Sequence, residues 1–330
     1  MTVVPEMTAS VADVAAALRG ASRVTAICHE NPDADTVGAA LAVSIMAERL
    51  GAASEVVCAD PMPPQFDFLP RIHRVVPRPQ LEPDVAVVCD AATLERVGRT
   101  VVEQSAWLAR ATIVNIDHHV SNTRFGGINL VDPNAAATCE VLARVVSELG
   151  LELDAELATP LLTGIVRDSH GFSDGATSGA TLRTAATLVD AGAPLARIHR
   201  SILAEMPYPT LALWGRMLHR IGQRADGRIV YTTLTQRMLD DTGTQQHDAD
   251  GVVEFMANVK EAQITLLLRE IGPSETRVSL RTTDAVDANR IAAAFGGGGH
   301  ARRAGCTVPE PLDAAVDLVL DASRDALTPA

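Results

Sequence analysis

The sequence lacks several features that would assign it to whole classes of protein. No apolar stretch approaches the roughly 20 residues that a membrane-spanning helix needs, and no basic segment followed by an apolar one marks a secretory signal at the N-terminus. The five cysteines form no C-x-x-C pair, which argues against a disulfide framework or a cysteine-bound structural zinc. These absences predict a cytoplasmic location without membrane contact.

Positive charge is also scarce. Against 41 acidic residues stand 28 lysines and arginines, of which Lys260 is the only lysine, and the formal net charge is −13. Broad binding to long nucleic acid usually needs a basic surface, so the charge argues against a long duplex as a partner. The hydrophobic share of 47% and the charged share of 21% are those of a globular protein, and 330 residues are enough for two domains.

The first half of the chain alternates strand-like and helix-like runs. Strands are predicted at 23–28, 54–59, 85–89 and 111–116, and helices at 10–20, 135–149 and 155–167, with an amphipathic helix at 34–50. Strands separated by helices predict a largely parallel sheet that is covered on both faces. The proline-rich stretch 61–83 is expected to form an irregular connection, and 178–206 to form two helices.

A second, smaller domain is predicted beyond the break at Met206-Pro-Tyr-Pro209. The expected boundaries are 1–195 for the N-terminal domain, 196–222 for a helical linker and 223–330 for the C-terminal domain. Strands at 227–233 and 276–282, with helices at 249–261, 286–294 and 312–325, make the second domain α/β or α+β. The predicted fold class is therefore α/β with two domains, and the active site is expected in the cleft between them.

Clusters of hard metal ligands follow two of the predicted strands. His29, Asp33 and Asp35 come directly after the first strand, and Asp117-His118-His119 comes after the apolar run 111–116. The carboxyl ends of neighbouring strands meet at one edge of an open α/β sheet, which is where such folds place their chemistry. One aspartate would be enough to cap the following helix, and His29 has no part in a cap.

Two further aspartates fit the same pattern. Asp90 ends the strand 85–89, and Asp168 follows the apolar run Leu161–Val166. Mixed carboxylate and imidazole ligands suit manganese, iron or zinc rather than calcium. Six candidate ligands are too many for one tetrahedral ion, but they suit two ions about 3.5–4 Å apart that share a bridging carboxylate. The sequence therefore predicts a site for two divalent ions and hydrolysis of a phosphate ester or anhydride.

A glycine run in the second domain indicates an anion site. The four consecutive glycines 296–299 let the backbone approach a ligand closely and are expected to leave N–H groups free to hold phosphate. His300, Arg302 and Arg303 add side-chain donors, and Arg281 alternates out of a predicted strand.

In their order along the chain, these motifs resemble those of the DHH phosphoesterase superfamily. The N-terminal motifs are His29-Glu-Asn-Pro-Asp33-Ala-Asp35, Asp90, Asp117-His118-His119 and Gly164-Ile-Val-Arg-Asp168. Gly296-Gly-Gly-Gly-His300 with Ala304-Gly305 is similar to the signature of the DHH-associated C-terminal domain. Length and layout are similar to the nanoRNase and pAp phosphatase group, including actinobacterial enzymes that also cleave cyclic dinucleotides.

The resemblance implies two metal sites that share one ligand. One manganese ion would be held by His29, Asp33 and Asp90. The second would be held by Asp35, Asp90, His118 and Asp168. Asp90 would bridge the two ions.

The resemblance also implies roles outside the metal sites. Asp117 would orient a ligand, and His119 would contact the scissile phosphate and stabilise its charge or protonate the leaving oxygen. The substrate-binding residues would be Arg281, Gly297, Gly298, Gly299, His300 and Arg303. The chain departs from the group at Asp168-Ser-His170, where Asp-Thr-Gly is usual, and at Arg303, where a small residue is common.

The implied function is manganese-dependent hydrolysis of nanoRNA, pApA or pGpG, with pAp as a further substrate. A dedicated cyclic-di-AMP phosphodiesterase stays open as the alternative. An inorganic pyrophosphatase is disfavoured because the chain has no basic Ser-Arg-Lys-Lys run, and a RecJ-like exonuclease is disfavoured by the short, acidic chain. An inactive nucleotide sensor is disfavoured because every implied ligand is present. Whether the chain forms a homodimer stays open.

Overall fold

The computed structural model describes residues 9–98, 108 and 110–327, and the chain divides into two units, Met1–Glu205 and Met206–Ala330. Six parallel strands form the sheet of the N-terminal unit: β1 (Arg23–Ile27), β2 (Ala53–Val57), β3 (Val75–Val76), β4 (Val85–Cys89), β5 (Thr112–Asp117) and β6 (Ile128–Val131). Their order across the sheet is β3-β2-β1-β4-β5-β6. The central strand β4 is buried along its whole length, as a strand covered on both faces must be.

Helices cover this sheet. They are α1 (Val11–Gly20), α2 (Ala34–Arg49), α3 (Thr138–Leu149), α4 (Ala155–Asp168), α5 (Gly179–Asp190) and α6 (Leu195–His199), which continues into a π-helical turn at Arg200–Ala204. Short 3₁₀ turns lie at Pro64–Phe66, Ile72–Arg74 and Leu94–Val97. The apolar residues of α1 to α4 form one large core with the sheet, and a smaller core of strand residues with Val97 and Leu108 forms a second cluster.

The helix α2 lies at the centre of the large core. Every residue from Ala34 to Ala47 is buried, so the predicted amphipathic character of this helix is wrong. Gly38 explains how a second helix packs so close, because a Cβ there would lie 2.3 Å from the carbonyl oxygen of Pro160 in α4. With the sheet on one side and helices on the others, α2 has no face left for water.

The C-terminal unit has a mixed sheet. Its strands are β7 (Gly222–Arg224), β8 (Ile229–Leu234), β9 (Ile264–Gly272), β10 (Glu275–Thr282), β11 (Gly298–Gly299) and β12 (Arg303–Val308). Their order across the sheet is β11-β12-β10-β9-β8-β7. Only the β8–β9 pairing is parallel within the described sheet. The helices are α7 (Tyr208–His219), α8 (Gln236–Thr242), α9 (Val252–Met256), α10 (Ala288–Ala293) and α11 (Leu312–Ala326), with a 3₁₀ turn at Gln246–Ala249.

Two cores stabilise this second unit. Residues of α10 and α11 pack with one set of sheet residues, and residues of α7, α8 and α9 pack with another. The predicted α/β fold class is therefore confirmed for both halves of the chain. The predicted domain boundaries at 195 and 222 stay predictions. In the part of the chain that the structure describes, no helix combines the length and apolarity needed to cross a membrane.

Several predicted elements differ from the structure. The run Leu161–Val166 lies in the helix predicted at 155–167, so Asp168 is the last residue of α4 and does not share with Asp90 a position at the end of a strand. The helix predicted at 249–261 is only Val252–Met256, and the strand Ile264–Gly272 was not predicted. The strand is not distinguished in the sequence because its largely apolar first half, Ile264–Leu268, carries no periodicity from which helix and strand can be told apart.

Candidate active site

The order of the strands creates a crevice at the carboxyl edge of the N-terminal sheet. The chain passes from β1 to β2 on one side and returns to β4 on the other side of β1. Connections that leave two adjacent parallel strands in opposite directions leave a gap between them, and open α/β folds bind ligands there. His29 follows β1 and Asp90 follows β4, so both residues lie at this gap.

His29 is buried at this gap, and its ring is oriented by the backbone. Its Nδ1 lies 2.7 Å from the carbonyl oxygen of Glu30, which can only accept, so the neutral ring carries its lone pair on Nε2. Nε2 lies 3.7 Å from Oδ1 of Asp33 and 3.5 Å from Oδ2 of Asp90. Two atoms bound to one ion at about 2.1 Å each lie roughly 3–3.5 Å apart, so this spacing suits a shared ion.

Asp33 serves two purposes at the start of α2. Its side chain accepts hydrogen bonds from two backbone N–H groups of the first turn, so it is the N-cap of the helix. The same carboxylate faces His29. Asp33 can therefore cap α2 and still be the metal ligand that the sequence predicts.

His118 has the same arrangement on the other side of the crevice. Its Nδ1 lies 3.3 Å from the carbonyl oxygen of Ala135, and its Nε2 lies 3.2 Å from Oδ2 of Asp168 and 3.6 Å from Oδ1 of Asp90. Nε2 is nonetheless buried and makes no hydrogen bond. A buried ring nitrogen surrounded by carboxylates and without a hydrogen bond is the environment that a metal ion would complete.

Asp35 is buried and accepts from the N-terminus of α3. Its Oδ2 accepts from the backbone N–H of Thr138 at 2.6 Å, and its Oδ1 accepts from that of Cys139 at 3.0 Å. The preceding residue, Ala137, has no side chain that could cap the helix. Asp35 thus supplies from α2 the cap that α3 lacks, and the positive end of the α3 dipole stabilises its charge.

Asp168 reaches the site from the last turn of α4, and a glycine allows that helix to come close. A Cβ on Gly164 would lie 2.4 Å from Oδ1 of Asp35 and 2.5 Å from Sγ of Cys139. Any side chain at this position would displace a predicted metal ligand. In the sequence, Gly164 is part of a motif, and the motif does not show that this glycine lets α4 pack against Asp35.

The structure brings all six predicted metal ligands together. Among the described residues, three groups each place one ligand atom per residue within 4.8 Å of the others. The groups are His29, Asp33 and Asp90; Asp35, His118 and Asp168; and Asp90, His118 and His119. The donor set of carboxylates and imidazoles fits divalent ions such as manganese, iron or zinc.

The pKa values of the carboxylates reflect the crowding of negative charge. Burial raises the pKa of Asp35 well above its usual range, and the neighbouring carboxylates of Asp90 and Asp168 raise it further. Burial also raises the pKa of Asp168, although His118 opposes the shift. Without a cation, this site therefore holds protons that carboxylates normally lose.

The two buried histidines show the same excess of negative charge. Burial by itself would lower the pKa of His29, but Asp33 and Asp90 outweigh it and raise the value to about 10. For His118, burial is outweighed by Asp168 together with other carboxylates, and the pKa again rises to about 10. The site thus attracts positive charge, which either protons or metal ions could supply.

His119 belongs to a separate polar chain beside the ligands. Its Nδ1 lies 2.7 Å from Oδ1 of Asp117, whose charge raises the pKa of the ring. Burial would raise the pKa of Asp117, but His119 and Asn122 lower it through hydrogen bonds. Asn122 donates to Oδ2 of Asp117 at 2.5 Å. Asn122 was not singled out from the sequence, since a lone asparagine after a motif carries no distinctive signal.

The glycine run of the C-terminal unit does not form an open loop. Gly298–Gly299 form β11 against β12, and a Cβ on Gly297 would lie 2.3 Å from the carbonyl oxygen of Gly305. The prediction that this run leaves its backbone N–H groups free for phosphate is wrong for three of the four glycines, because their N–H groups donate within the unit. Those donors and their acceptor residues are Gly296 to Ala293, Gly297 to Ala292 and Gly299 to Asn289.

Arg281 and Arg303 are neighbours on adjacent strands, since they are partners in the β10–β12 register. Arg303 is exposed. Arg281 lines a cleft of about 370 Å³ and is already paired, because its Nε donates to Oε1 of Glu254 at 2.9 Å and its Nη2 donates to the same oxygen. An anion in this cleft would have to share Arg281 with Glu254.

His170, where the motif departs from the family pattern, follows α4 with a φ of 48°. Glycine takes up this region of φ readily, which explains why a glycine is common there. The His170 Nδ1 lies 3.2 Å from the carbonyl oxygen of Asp168, and 49% of the side chain is exposed. The ring therefore lies beside a predicted ligand and faces solvent.

Comparison with known proteins identifies both units. Residues 23–165 match the N-terminal domain of the DHH family, and residues 226–328 match the DHHA1 domain. The chain is 34% identical over 322 residues to the bifunctional oligoribonuclease and PAP phosphatase NrnA of Thermus thermophilus, which covers 96% of this chain and 94% of that protein. It is 22% identical over 283 residues to the protein of that name from Bacillus subtilis, which covers 85% and 87%.

The fold has a counterpart among solved structures. An exopolyphosphatase-related protein from Bacteroides fragilis superimposes with a TM-score of 0.84 over 98% of both chains, at 22% identity. This similarity shows the fold, and the domain matches define a two-domain protein with a DHH domain and a DHHA1 domain. The chain belongs to the DHH family, and it is a phosphoesterase whose family depends on metal ions.

Proposed function

We propose that this protein is a manganese-dependent phosphoesterase of the cytoplasm that hydrolyses short oligoribonucleotides such as nanoRNA, pApA and pGpG, and also pAp. The observation that carries the proposal is the orientation of Asp90, whose Oδ2 faces His29 while its Oδ1 faces His118. A carboxylate with one oxygen toward each ligand set suits a bridge between two ions. The names of the relatives, similar over most of their length, support the choice of substrate.

The proposed ligands divide into two sets that share Asp90. His29 and Asp33 would complete the first set. Asp35, His118 and Asp168 would complete the second. Two divalent ions, when bound there, would activate a water molecule for attack on phosphorus and neutralise the phosphoryl oxygens. The buried Nε2 of His118, which makes no hydrogen bond, supports a site built for a cation.

His119 is the proposed acid for the leaving oxygen. Its Nδ1 is occupied by Asp117, so Nε2 is the nitrogen that a substrate can reach. Because Asp117 raises the pKa of His119, the ring stays protonated closer to neutral pH and can give a proton from Nε2 to the departing oxygen. Asp117 keeps the ring in place and stabilises its positive charge. A hydrogen bond from Asn122 fixes the position of the Asp117 carboxylate.

In the C-terminal unit, we propose that side chains contact the substrate. Arg281, Arg303 and His300 are the proposed contacts. Arg281 and Arg303 lie side by side on neighbouring strands, which supports their acting together on one anionic group.

The proposal is tested by rates on a panel of substrates with chelator-treated protein and added manganese. The panel contains pAp, pApA, a five-nucleotide RNA and cyclic-di-AMP. We expect turnover of pApA, the short RNA and pAp that disappears when manganese is withheld. Faster turnover of cyclic-di-AMP than of any linear substrate would favour the dedicated phosphodiesterase instead. No turnover of any of them with manganese would contradict the proposal.

A further inference from the structure

We infer that Thr138 is a positioning residue of the metal centre, because its hydroxyl sets the rotation of the Asp90 carboxylate. The inference rests on the proposed two-metal function, and it goes beyond it by adding a residue that is neither a ligand nor a substrate contact. Thr138 is the first residue of α3 and is fully buried.

The first observation is that Thr138 contacts two proposed metal ligands, Asp35 of the second set and the shared Asp90. The backbone N–H of Thr138 donates to Oδ2 of Asp35 at 2.6 Å, and its side-chain hydroxyl donates to Oδ1 of Asp90 at 3.0 Å. An ionised carboxylate only accepts, so the hydroxyl proton must point at Asp90. Thr138 therefore links the N-terminus of α3 to both carboxylates.

The second observation concerns the other neighbours of the Asp90 carboxylate, which are the rings of His29, His118 and His119 at 3.5–3.6 Å. The backbone of Asp90 is held, since its N–H donates to the carbonyl oxygen of Ile116 at 2.9 Å and the hydroxyl of Thr36 donates to the carbonyl oxygen of Cys89 at 2.8 Å. At 3.0 Å, the bond from the Thr138 hydroxyl is shorter than any of these ring contacts, and its donor belongs to neither proposed ligand set.

The backbone of Asp90 makes this bond more important. Asp90 has a φ of 61°, a left-handed conformation that costs energy in a residue with a side chain and persists where the surroundings enforce it. The terminal torsion of an aspartate is broad and roughly two-fold, so a fixed backbone does not by itself fix the carboxylate plane. The hydroxyl of Thr138 selects the rotation in which one oxygen faces each ligand set.

The test compares three variants by manganese affinity, measured calorimetrically on metal-free protein. Thr138→Val keeps the shape and removes the hydroxyl, and we expect manganese to bind about 10–100-fold more weakly, as is typical when the partner of a ligand is lost. Thr138→Ser keeps the hydroxyl and should bind within about threefold of the unmodified protein. In each variant, the rate of pApA hydrolysis should fall in parallel with manganese affinity. Excess manganese should restore part of the rate that Thr138→Val loses.

Thr276→Val is the matched control, because Thr276 is equally buried and its hydroxyl donates to the carbonyl oxygen of Glu310 at the same 3.0 Å, in the C-terminal unit. This variant measures what a buried Thr→Val change costs in stability alone. Melting temperatures of all metal-free variants show whether Thr138→Val is folded at the temperature of the titration.

The outcomes separate the inference from the proposed function. If Thr138→Val binds manganese as tightly as Thr276→Val, the positioning role is wrong even though the unmodified protein binds and hydrolyses as proposed. If Thr138→Ser is as weak as Thr138→Val, the hydroxyl is not the cause and the inference is also wrong. If the unmodified protein neither binds manganese nor cleaves pApA, it is the proposed function that fails.

Discussion

The two units of the chain hold their candidate functional residues in different ways. In the N-terminal unit, backbone groups orient predicted metal ligands through hydrogen bonds. The carbonyl oxygen of Glu30 accepts from His29, and the N-terminal N–H groups of α3 donate to Asp35. In the C-terminal unit, Arg281 is paired with Glu254, and Arg303 is exposed. The first arrangement is preorganised for ions, whereas the second needs a ligand to compete with an existing partner.

This difference predicts where substitutions act. Changes in the N-terminal unit should remove metal binding or turnover, because nothing else can replace a buried and oriented group. Changes in the C-terminal unit should alter affinity for substrate and leave the chemical step intact.

The largest effect is expected from Asp90→Ala. Removing the shared carboxylate takes a ligand from both sets, and we expect pApA hydrolysis to fall by about 1000-fold or more, which corresponds to roughly 4 kcal/mol of transition-state stabilisation. Steady-state kinetics and calorimetric titration with manganese measure the loss, and circular dichroism checks the fold. Unchanged turnover in a folded Asp90→Ala protein would remove the basis of the metal assignment.

Gly164→Ala tests the close approach of α4 to the site. The added Cβ would lie 2.4 Å from Oδ1 of Asp35, so we expect a loss of about 2–3 kcal/mol in the free energy of unfolding and weaker manganese binding. Denaturant unfolding measures the loss. The control is Gly215→Ala in α7, where a Cβ meets no atom within 4 Å and should stabilise the helix by about 0.5–1 kcal/mol. Equal effects of the two substitutions would show that crowding at Asp35 is not the cause.

His119→Asn separates chemistry from metal binding. Loss of the proposed acid should lower kcat by about 100-fold, while manganese affinity should stay within about threefold, because the Nδ1 of His119 is directed at Asp117. A pH–rate profile and a manganese titration measure the two effects. The control is His219→Asn, an exposed histidine at the end of α7. A His119→Asn protein that lost manganese as completely as Asp90→Ala would make His119 a ligand instead.

The pH dependence of metal binding follows from the raised pKa values of the two buried histidines. His29 and His118 each have a pKa of about 10 without metal, so both carry a proton near neutral pH. A metal ion needs the neutral ring, so each site should release at least one proton on binding, and affinity should fall at least about tenfold for each unit by which the pH is lowered between 9 and 7. Titration calorimetry in buffers of different ionisation enthalpy counts these protons. Binding without proton release would contradict the assignment of these histidines.

The smallest effect is expected from Arg281→Ala. We expect KM for pApA to rise about fivefold, near 1 kcal/mol, with kcat unchanged, because the side chain shares its donors with Glu254. The comparison variant is Arg269→Ala, since Arg269 lines the same cleft and is paired with Asp250. A fall in kcat at saturating substrate, with KM unchanged, would place Arg281 in the chemical step. It would contradict the expectation that changes in the C-terminal unit alter substrate affinity alone.

Much of the site was predictable because a sequence shows where a strand ends, namely where an apolar run gives way to polar residues. Apolar runs followed by His29, Asp90 and Asp117 place these residues at one sheet edge, and the order of the motifs identified the family. Asp168 also follows an apolar run, but it comes from the end of a helix and not from the end of a strand. Its helix reaches the same spot only because Gly164 permits close contact with Asp35.

The C-terminal unit was less predictable. The sequence does not distinguish β9, because its first half, Ile264–Leu268, is largely apolar on both faces. It predicts an open loop for the glycine run, although Gly298–Gly299 form β11. Glycine permits close backbone approach in any context, and the sequence does not say whether the partner is a phosphate or another strand. Here the partner is β12.

The sequence alone determined which side chains are available at the strand ends, because the alternation of apolar runs and the identity of the residues that follow them are local properties. Only the tertiary structure decided how those side chains are oriented. The cap that α3 receives from Asp35, the rotation of Asp90 set by Thr138 and the space left by Gly164 all join residues far apart in the chain. Such contacts depend on how helices pack on the sheet, and no short stretch of sequence contains that information.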